Sequence, residues 1–391
     1  MIVAGVMSGT SADGIDVALT RISGRGERLR INLLAHEHFA YPKPVRTAVL
    51  AAMNATSTSV ADLARLNSLL GELYADAVER VRTLHGIAIE LVGCHGQTLY
   101  HQGAAIPFLG RRIATTWQTG EASILAARLQ VPVVSDFRPA DMAAGGCGAP
   151  LVPLLDVAYY SHPKKLRVLQ NLGGIANLTI VPAGATLDQM EGVIAFDTGP
   201  GNMVIDACAQ QLLGKSYDQN GNVAARGNVL KSALNIALRN PFFRRKPPKT
   251  AGREEFGREF VAEFLRWCGP SATTPDVLAT ATALTAASIG NALHAQLPRQ
   301  KKSLRLKHNE GEYIVSGGGV SNRTLMSMIA EHVAPLGLSV LSSDQLGLPS
   351  QAKEAVAFAL LAYRTWHRQP GNVPSATGAN RPAVLGKVSY P

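Results

Sequence analysis

The stretch VMSGTSADGID, residues 6–16, decides the fold. An apolar run, residues 2–6, enters it, and a second apolar run, residues 15–19, leaves it. This order predicts a strand, a tight polar turn and a second strand. Glycines in the turn let the backbone approach a ligand, and its hydroxyl and N–H groups can donate hydrogen bonds to that ligand. Such a turn suits a polyphosphate, although a single glycine-rich turn is more often an ordinary hairpin.

Two further glycine-rich turns favour the phosphate-binding interpretation. Residues 169–179, LQNLGGIANLT, again predict strand, glycine turn and strand, and residues 314–322, IVSGGGVSN, predict strand, glycine turn and helix. In the first half three strands precede helix, strand, helix and strand, and near Pro139 the order begins again. We therefore expect two similar halves that hold a nucleotide between them.

Length and composition indicate a two-domain globular protein. The chain has 391 residues, of which 46% are hydrophobic and 17% charged, as is typical of soluble proteins. We expect no signal peptide, and no apolar stretch reaches the length of a membrane span, so no membrane partner is expected. Four cysteines without a C-x-x-C pattern suit a reducing compartment, which predicts a cytoplasmic protein.

The net charge of +10 raises the question of nucleic-acid binding. The basic residues are concentrated in short segments, at 244–246 and 299–302, and no aromatic residues alternate with them as a stacking surface requires. We therefore expect solvated loops and no nucleic-acid partner. A positive surface would also attract an anionic nucleotide and substrate.

Polar residues follow two predicted strands of the first half. The motif HGQT, residues 95–98, follows a strand predicted at 87–94, and Asp136 and Arg138 follow a strand predicted at 131–134. Strand ends at one edge of a sheet converge, so these side chains are expected at one ligand-binding edge. Arg138 could bind a substrate carboxylate or form a salt bridge with Asp136 or another acid, and the sequence leaves both open.

Two acids have both a functional and a structural interpretation. Asp197 follows a predicted strand at 193–196 and precedes a glycine-rich turn and a helix. It could act as a general base, or it could cap the helix N-terminus, and the two interpretations carry equal weight. Glu354 lies near the start of a helix predicted at 350–364, where the helix dipole alone also favours an acid.

Taken together, these motifs resemble the anhydro-N-acetylmuramic acid kinase family, which belongs to the sugar kinase, Hsp70 and actin superfamily. The resemblance covers essentially the whole chain. The motifs that carry it are MSGTS with Asp13, Gly14 and Asp16, HGQT at 95–98, DFR at 136–138, AGG at 144–146, GAPLVP at 148–153, NLGGIAN at 171–177, DTGPGN at 197–202, Thr250 with GRE at 252–254, SGGG at 316–319, PGN at 370–372 and TGA at 377–379.

The resemblance implies an α/β fold with two similar domains of the actin-like ATPase, ribonuclease H-like, type around a central cleft. The N-terminal domain is expected over 1–140, joined by the C-terminal tail 378–391, and the C-terminal domain over 141–391. The segment 298–312 is unusually basic and is expected to be a surface insertion. Minor departures from the family pattern occur at Ala12, Cys147 and Ala251.

The resemblance also implies an activity. ATP with Mg²⁺ would phosphorylate O6 of 1,6-anhydro-N-acetylmuramic acid while water opens the 1,6-anhydro bridge at C1. The products would be N-acetylmuramic acid 6-phosphate and ADP, in the recycling of cell-wall peptidoglycan. A homodimer is implied as well, whereas the Mg²⁺ ligands are not assigned.

Residue roles follow from the same resemblance. Asp197 matches the catalytic base, and one carboxylate suffices because the leaving O6 is captured by the γ-phosphate, unlike in an ordinary glycosidase. The nucleotide would be bound by Gly9, Thr10, Ser11, Ala12, Asp13, Gly14, Ile15, Asp16, Gly173, Gly174, Gly317, Gly318 and Gly319. The sugar would be bound by His95, Gln97, Thr98, Asp136, Arg138 and Glu354.

Two other functions remain open from the sequence. A kinase for a plain sugar hydroxyl would use Asp197 to deprotonate that hydroxyl, and activity on N-acetylmuramic acid rather than its anhydro form would identify it. A nucleotide-dependent binding or chaperone-like module would hydrolyse ATP without stimulation by any sugar. The polar residues His95, Asp136 and Asp197 disfavour the module, because a pure nucleotide switch has no use for them.

Overall fold

The computed structural model describes the backbone of residues 1–304 and 311–391, and their side chains except those of 298–304. Of the basic segment 298–312, residues 305–310 therefore lie outside the described residues, and only the backbone of 298–304 is described. Twelve strands occur in the described part of the chain: β1 (Ile2–Ser8), β2 (Gly14–Ser23), β3 (Arg30–Ala40), β4 (Leu91–Phe108), β5 (Arg111–Thr119), β6 (Val133–Ser135), β7 (Leu166–Leu172), β8 (Ala176–Val181), β9 (Ile194–Gly199), β10 (Gly311–Ser316), β11 (Leu338–Ser342) and β12 (Lys387–Ser389).

Fourteen α-helices occur in the same residues, and none of them has the length and apolar character needed to span a bilayer. They are α1 (Lys43–Ala52), α2 (Val60–His85), α3 (Ala122–Leu129), α4 (Phe137–Ala143), α5 (Pro153–Tyr160), α6 (Met203–Leu213), α7 (Lys231–Ala237), α8 (Pro241–Arg244), α9 (Arg253–Phe256), α10 (Arg258–Cys268), α11 (Thr274–Leu304), α12 (Arg323–Val333), α13 (Lys353–Trp366) and α14 (Pro374–Thr377).

The first compact unit consists of residues 1–159, 186–190 and 351–391. Its sheet has the strand order β12-β6-β4-β1-β2-β3, and β5 pairs with β4 outside this path. Strand β2 is antiparallel to both of its neighbours, β1 and β3, whereas β4 joins β1 and β6 joins β4 in parallel. Buried side chains of α2 and α3 pack on one face of this sheet.

Helix α13 packs closely on β1 and β4 of this unit because both strands carry a glycine at the contact. A Cβ atom on Gly5 would lie 1.8 Å from the carbonyl oxygen of Ala355, and one on Gly93 would lie 2.2 Å from that of Phe358. This packing places α13 in the first unit, and β12 of the C-terminal tail pairs there with β6. The division differs from the expected boundary at 140/141, since 141–159 and 351–377 also lie in the first unit.

The second unit consists of residues 160–185 and 191–350 and repeats the topology of the first. Its sheet has the order β11-β10-β7-β8-β9, with β7, β8 and β9 antiparallel and β10 and β11 added in parallel. Side chains of α11 and α12, including Ile289 and Leu325, form a core with the sheet residues Val168 and Tyr313. The prediction of an α/β fold with two similar halves is confirmed.

The sequence predicted that the HGQT motif follows a strand, but in the structure the motif lies within β4. That strand continues to Phe108 because β5 pairs with it antiparallel, with Gln97 opposite Thr119 and Phe108 opposite Arg111. This extension could not be predicted from the sequence, since polar residues occupy both faces of the hairpin where it leaves the core.

Candidate functional site

In the first unit, residues 9–13 form the loop between β1 and β2. The N–H of Ala12 donates to the carbonyl oxygen of Gly9 at 3.1 Å, which closes the turn, and Ala12 is buried with a left-handed φ of 50°. Exposed polar side chains of the loop are Thr10, Ser11 and Asp13. The loop therefore presents hydroxyl, carboxylate and backbone groups to solvent.

The two glycines of this motif have different roles. A Cβ atom on Gly9 would meet only the Ser11 hydroxyl, at 3.7 Å, so a ligand has room to approach the backbone. A Cβ atom on Gly14 would lie 2.3 Å from the carbonyl oxygen of Phe39 on β3. Ile15 is in the hydrophobic core. Gly14 and Ile15 thus support strand packing, which leaves the ligand-facing part of the motif to residues 9–13.

The side chain of Gln97 holds this loop in place through hydrogen bonds. The hydroxyl of Ser8 donates to Gln97 Oε1 at 2.7 Å, and Gln97 Nε2 donates to the carbonyl oxygen of Gly9 at 3.0 Å. Gln97 is fully buried, and both the oxygen and the nitrogen of its amide form hydrogen bonds within the protein. Thr98 Oγ1 accepts a hydrogen bond from Gln118 Nε2 at 3.2 Å. These contacts fit the positioning of the loop better than direct contact with a sugar.

His95 is buried and neutral. Its Nδ1 lies 2.7 Å from the carbonyl oxygen of Gly96, and its Nε2 accepts hydrogen bonds from Arg138 Nε at 3.2 Å and Nη2 at 2.9 Å. An imidazole that accepts at Nε2 carries its proton on Nδ1. Burial, together with the charge of Arg138, lowers the pKa of His95 to about 3. His95 therefore orients Arg138 and does not titrate near neutral pH.

Arg138 is fixed by this histidine and by a second contact. Its Nη1 donates to the carbonyl oxygen of Gly148 at 2.9 Å, and the Gly148 N–H in turn donates to the buried carboxylate of Asp141 at 2.8 Å. Burial lowers the pKa of Arg138 to about 10, against the charges of Glu354 and Asp141. Among the described residues Arg138 forms no salt bridge with Asp136 or another acid, so that alternative is wrong.

Asp136 instead binds a residue of the C-terminal tail. Its carboxylate accepts from the ammonium group of Lys387 at 2.9 Å. Asp136 and His95 line one cavity of the first unit, with a volume of about 440 Å³. Its polar lining also includes Asn67 and Glu121, which sequence reasoning missed because no motif marks them.

Glu354 lies in the first turn of α13, where its side chain is exposed although protein atoms crowd around it. That crowding raises the pKa of Glu354, and the charge of Asp16 raises it further, whereas Arg138 lowers it. Asp16 accepts hydrogen bonds from His36 at 3.1 Å and His38 at 3.2 Å when these rings carry a proton on the facing nitrogen. The charges of Asp16 and Arg138 thus both act on Glu354 within the first unit.

In the second unit, the two glycine loops lie beside each other at the ends of the parallel strands β7 and β10. A Cβ atom on Gly317 would lie 2.6 Å from Asn171 Oδ1, and one on Gly319 would lie 2.7 Å from Leu172 Cβ. The Asn202 N–H donates to the carbonyl oxygen of Gly173 at 2.9 Å. Gly174 and Gly318 have open space where a side chain would be.

Asp197 lies within β9 and does not cap a helix. Helix α6 begins at Met203 with Asn202 in the N-cap position, so the capping interpretation of Asp197 is wrong. One carboxylate oxygen, Oδ2, accepts from the Ala251 N–H at 2.7 Å. The Asp197 N–H donates to the carbonyl oxygen of Lys249 at 3.0 Å. The segment 249–251 thereby fixes both the backbone and the side chain of Asp197.

The carboxyl of Asp197 titrates close to neutral pH. Burial raises its pKa to about 7, although the Ala251 N–H and the charge of Lys249 favour the ionised form. Glu255 and Glu254 raise the pKa a little further. A carboxylate with such a pKa can accept a proton near neutral pH and release it again, which is the property of a general base.

Comparison with known proteins identifies relatives along the whole chain. A family model described as anhydro-N-acetylmuramic acid kinase matches residues 1–391. An anhydro-N-acetylmuramic acid kinase of Bacillus cereus strain ZK / E33L is 42% identical over 394 residues and covers 100% of both chains. Proteins of the same name from Bacillus cereus strain Q1 and Bacillus anthracis strain A0248 are 43% and 41% identical, again over 100% of both chains.

Two solved structures are distantly similar to this chain. A ROK family glucokinase from Streptomyces griseus, in complex with glucose and AMPPNP, is 14% identical with a TM-score of 0.40, and 93% of this chain and 100% of that chain are covered. The (R)-2-hydroxyglutaryl-CoA dehydratase component A of Acidaminococcus fermentans is 11% identical with a TM-score of 0.44, and 93% and 98% are covered. Similarity at this level says nothing about the function of this chain.

Proposed function

The chain belongs to the anhydro-N-acetylmuramic acid kinase family, and we propose that it opens the 1,6-anhydro ring of 1,6-anhydro-N-acetylmuramic acid and phosphorylates O6 at the expense of ATP. The products are N-acetylmuramic acid 6-phosphate and ADP. The reaction returns a cell-wall fragment to amino sugar metabolism, which is peptidoglycan recycling.

Asp197 is the base of this reaction, and its geometry is the observation that carries the proposal. The Ala251 N–H holds Oδ2, while Oδ1 accepts no hydrogen bond from the described residues. Asp197 takes a proton from the water that attacks C1. The bond from C1 to the bridging O6 breaks, and O6 takes the γ-phosphoryl group, so the leaving oxygen needs no separate acid.

The first unit supplies groups for the phosphates and the sugar. The open backbone beside Gly9 supports phosphate binding by residues 9–13, because N–H groups stabilise the charge that spreads over the phosphoryl oxygens. Arg138 and Glu354 are proposed to bind the sugar. The guanidinium of Arg138, oriented by His95, suits the lactyl carboxylate of the substrate, which a planar fork of donors binds in a bidentate manner.

Mg²⁺, when bound with ATP, would neutralise charge on the phosphate groups. It is usually held by one or two carboxylates together with phosphate oxygens and water. Asp13 fits this donor set, since it is an exposed carboxylate on the loop proposed to bind the phosphates. We therefore assign Asp13 as the residue of this loop that would hold the ion.

We further propose that the protein works as a homodimer in the cytoplasm. The tip of the β4–β5 hairpin supports a contact between proteins, because it exposes several apolar side chains close together in the sequence. The exposed fractions are 49% for Ile106, 63% for Phe108 and 88% for Leu109.

A substrate comparison tests the proposed reaction. Purified protein with ATP and Mg²⁺ should convert 1,6-anhydro-N-acetylmuramic acid to the 6-phosphate, and N-acetylmuramic acid should be a poor substrate. Preference for N-acetylmuramic acid would instead identify a kinase for a plain hydroxyl. ATP turnover that neither sugar stimulates would identify a nucleotide-dependent binding module.

Labelled water tests the ring opening separately. In ¹⁸O-water the label should enter at C1 of the product and not the phosphate group. Product reduced immediately after a short reaction is compared with unlabelled N-acetylmuramic acid 6-phosphate held in ¹⁸O-water for the same time, which measures exchange at C1. Label on the phosphate group would contradict the proposed attack at C1.

A further inference from the structure

Lys249 of the second unit is half-buried, and its ammonium group is held in a defined place. The group donates to the carbonyl oxygen of Phe242 at 3.2 Å and lies 4.4 Å from the centroid of the Phe242 ring. The Phe196 ring lies 5.8 Å away. An ammonium group over aromatic faces is attracted by their negative quadrupole, more strongly where water is excluded. The contacts of Lys249 are therefore those of an anchor, in contrast to a solvated surface lysine.

The aromatic residues under Lys249 are rigid. Phe242 is fully buried and packs edge-to-face on Phe256, with ring centroids 5.3 Å apart. Phe256 in turn packs edge-to-face on Phe260 at 5.2 Å. Because close-packed rings resist displacement, they fix the ammonium group, and Phe196 also precedes Asp197 directly in β9.

The backbone of the anchored segment is what holds Asp197. Lys249 accepts a hydrogen bond from the Asp197 N–H through its own carbonyl oxygen, and Ala251, two residues on, donates to the carboxylate. Among the described residues the ammonium group of Lys249 contacts Phe242 and Phe196 and forms no direct ion pair with Asp197.

We propose that Lys249 is a positioning residue for the reaction, whose ammonium group anchors residues 249–251, the segment that holds the backbone and the carboxylate of Asp197. The inference rests on the proposed role of Asp197 as base. It adds to that role a group that does not contact the substrate and that the activity of the family does not by itself assign.

The charges around the pair set its pH dependence. Lys249 favours ionised Asp197, whereas Glu255 and Glu254 of α9 oppose it. Burial lowers the pKa of Lys249 to about 8, while Asp197 raises it and Arg245, which pairs with Glu255 at 2.9 Å, lowers it. Asp197 is ionised above about 7, and Lys249 keeps its charge below about 8. The expected pH profile of kcat/KM is therefore bell-shaped, with a maximum between these values.

Two substitutions of Lys249 separate its charge from its shape. Lys249→Met should lower kcat about tenfold, part of the roughly 10²–10⁴-fold that a general base contributes, with the sugar KM within about twofold. In the pH profile of kcat/KM for Lys249→Met, the acid limb should shift to higher pH and the alkaline limb should disappear. Lys249→Arg keeps a charge at all accessible pH, so the acid limb should stay near the wild-type value while the alkaline limb disappears.

The matched control is Lys246→Met, which removes the same charge from an exposed position in the same loop. Its profile and kcat should equal those of the wild type. An unchanged acid limb in Lys249→Met, or an equal effect of Lys246→Met, would overturn the proposal. If Lys249→Met does not fold, an alkaline limb that persists in Lys249→Arg overturns it as well.

A titration without turnover keeps this test independent of the proposed function. The Asp197 carboxyl is followed by NMR in protein labelled with ¹³C at the aspartate carboxyl groups, and Asp197→Asn identifies its signal. The midpoint should lie at higher pH in Lys249→Met than in the wild type and Lys246→Met. An equal midpoint would refute the coupling, whereas normal turnover of Asp197→Asn would refute the base and leave this result intact.

Discussion

Asp197 gives the folded protein a measurable dependence of stability on pH. Its pKa in the folded protein, about 7, lies above its ordinary value of 3.8, so the folded state binds this proton more tightly than the unfolded state. The stabilising effect of the protonated form is complete below about pH 4 and is lost as the pH rises through 7. Burial of the ionised carboxylate therefore weakens the fold at neutral pH.

Asp197→Asn should remove this penalty. We expect the free energy of unfolding of the variant to exceed that of the wild type by about 2 kcal/mol at pH 8, less than the roughly 4 kcal/mol of a shift of three pKa units because water partly reaches the group. At pH 5 the difference should be less than half as large, because the penalty grows as the pH rises from about 4 to 7. Denaturant unfolding of both proteins at the two pH values measures it, and a difference independent of pH would contradict the raised pKa.

Arg138 should discriminate substrates by their lactyl carboxylate. Arg138→Lys keeps the charge but loses the fork of donors that bonds His95 and Gly148, so we expect KM for the anhydro sugar to rise about tenfold or more. An analogue without the lactyl group should bind the variant and the wild type within about twofold of each other. Steady-state kinetics with both sugars checks this, and equal losses for both would make Arg138 purely structural.

Substitution of Gly9 in the β1–β2 loop and of Gly14 at the start of β2 should have different effects. Gly9→Val has room in the protein and should leave the melting temperature within a few degrees, while crowding the phosphate and weakening ATP binding at least tenfold. Gly14→Val would place its Cβ against the backbone of β3 and should destabilise the protein by about 3 kcal/mol or more.

Calorimetric titration with an ATP analogue and thermal unfolding of both variants make the comparison. Ser23→Ala, at the far end of β2, is the control and should change neither quantity. Unimpaired nucleotide affinity in a folded Gly9→Val protein would refute the phosphate-loop assignment.

The strand-turn elements could be predicted from the sequence, because a glycine turn between two apolar runs is a local signal. The three glycine loops at 9–13, 173–174 and 317–319 lie between the elements that the pattern predicted. The extension of β4 to Phe108 could not be predicted, since it depends on pairing with β5. The role of Gly14 was also hidden, because only the position of β3 shows that its hydrogen faces a backbone oxygen.

For the site residues, too, the sequence showed local motifs but not the contacts that depend on the fold. The motif identified His95 and Gln97 as site residues. It did not show that both side chains bind other parts of the protein: His95 orients Arg138, and Gln97 supports the β1–β2 loop. Lys249 carried no signal in the sequence that distinguishes it from the neighbouring Lys246, because its aromatic contacts come from α8 and β9.

At the scale of the whole molecule, the two units repeat one topology with different additions. Each has three antiparallel strands followed by two parallel ones, and the first unit adds the β4–β5 hairpin. The repeat explains why a phosphate-type glycine loop lies between the first two strands of both units. Among the described residues the sheet of the second unit has no counterpart of this hairpin, which points to a separate use for its apolar tip.

The proposed homodimer is a prediction for this tip. Sedimentation equilibrium should give twice the mass of one chain at micromolar concentration. Phe108→Ser should weaken the dimer about tenfold or more, because the side chain loses most of its apolar area. Tyr217→Ser, a similarly exposed aromatic residue of the second unit, should leave the dimer unchanged. A monomeric wild type would refute the dimer, and an unaffected Phe108→Ser dimer would refute this surface.

The most direct test of the account is the turnover of Asp197→Asn. The amide keeps the shape and an oxygen for the Ala251 N–H but cannot accept the proton of water, so kcat should fall on the order of 10²–10⁴-fold. Affinity for ATP and for the anhydro sugar, measured by calorimetry on the same preparation, should stay within a few-fold. Asp206→Asn is the matched control, since Asp206 is another carboxyl of the second unit whose pKa burial raises, to about 6, and its kcat should stay within about twofold. An Asp197→Asn protein that binds both ligands and turns over like the wild type would contradict the central claim that Asp197 is the base.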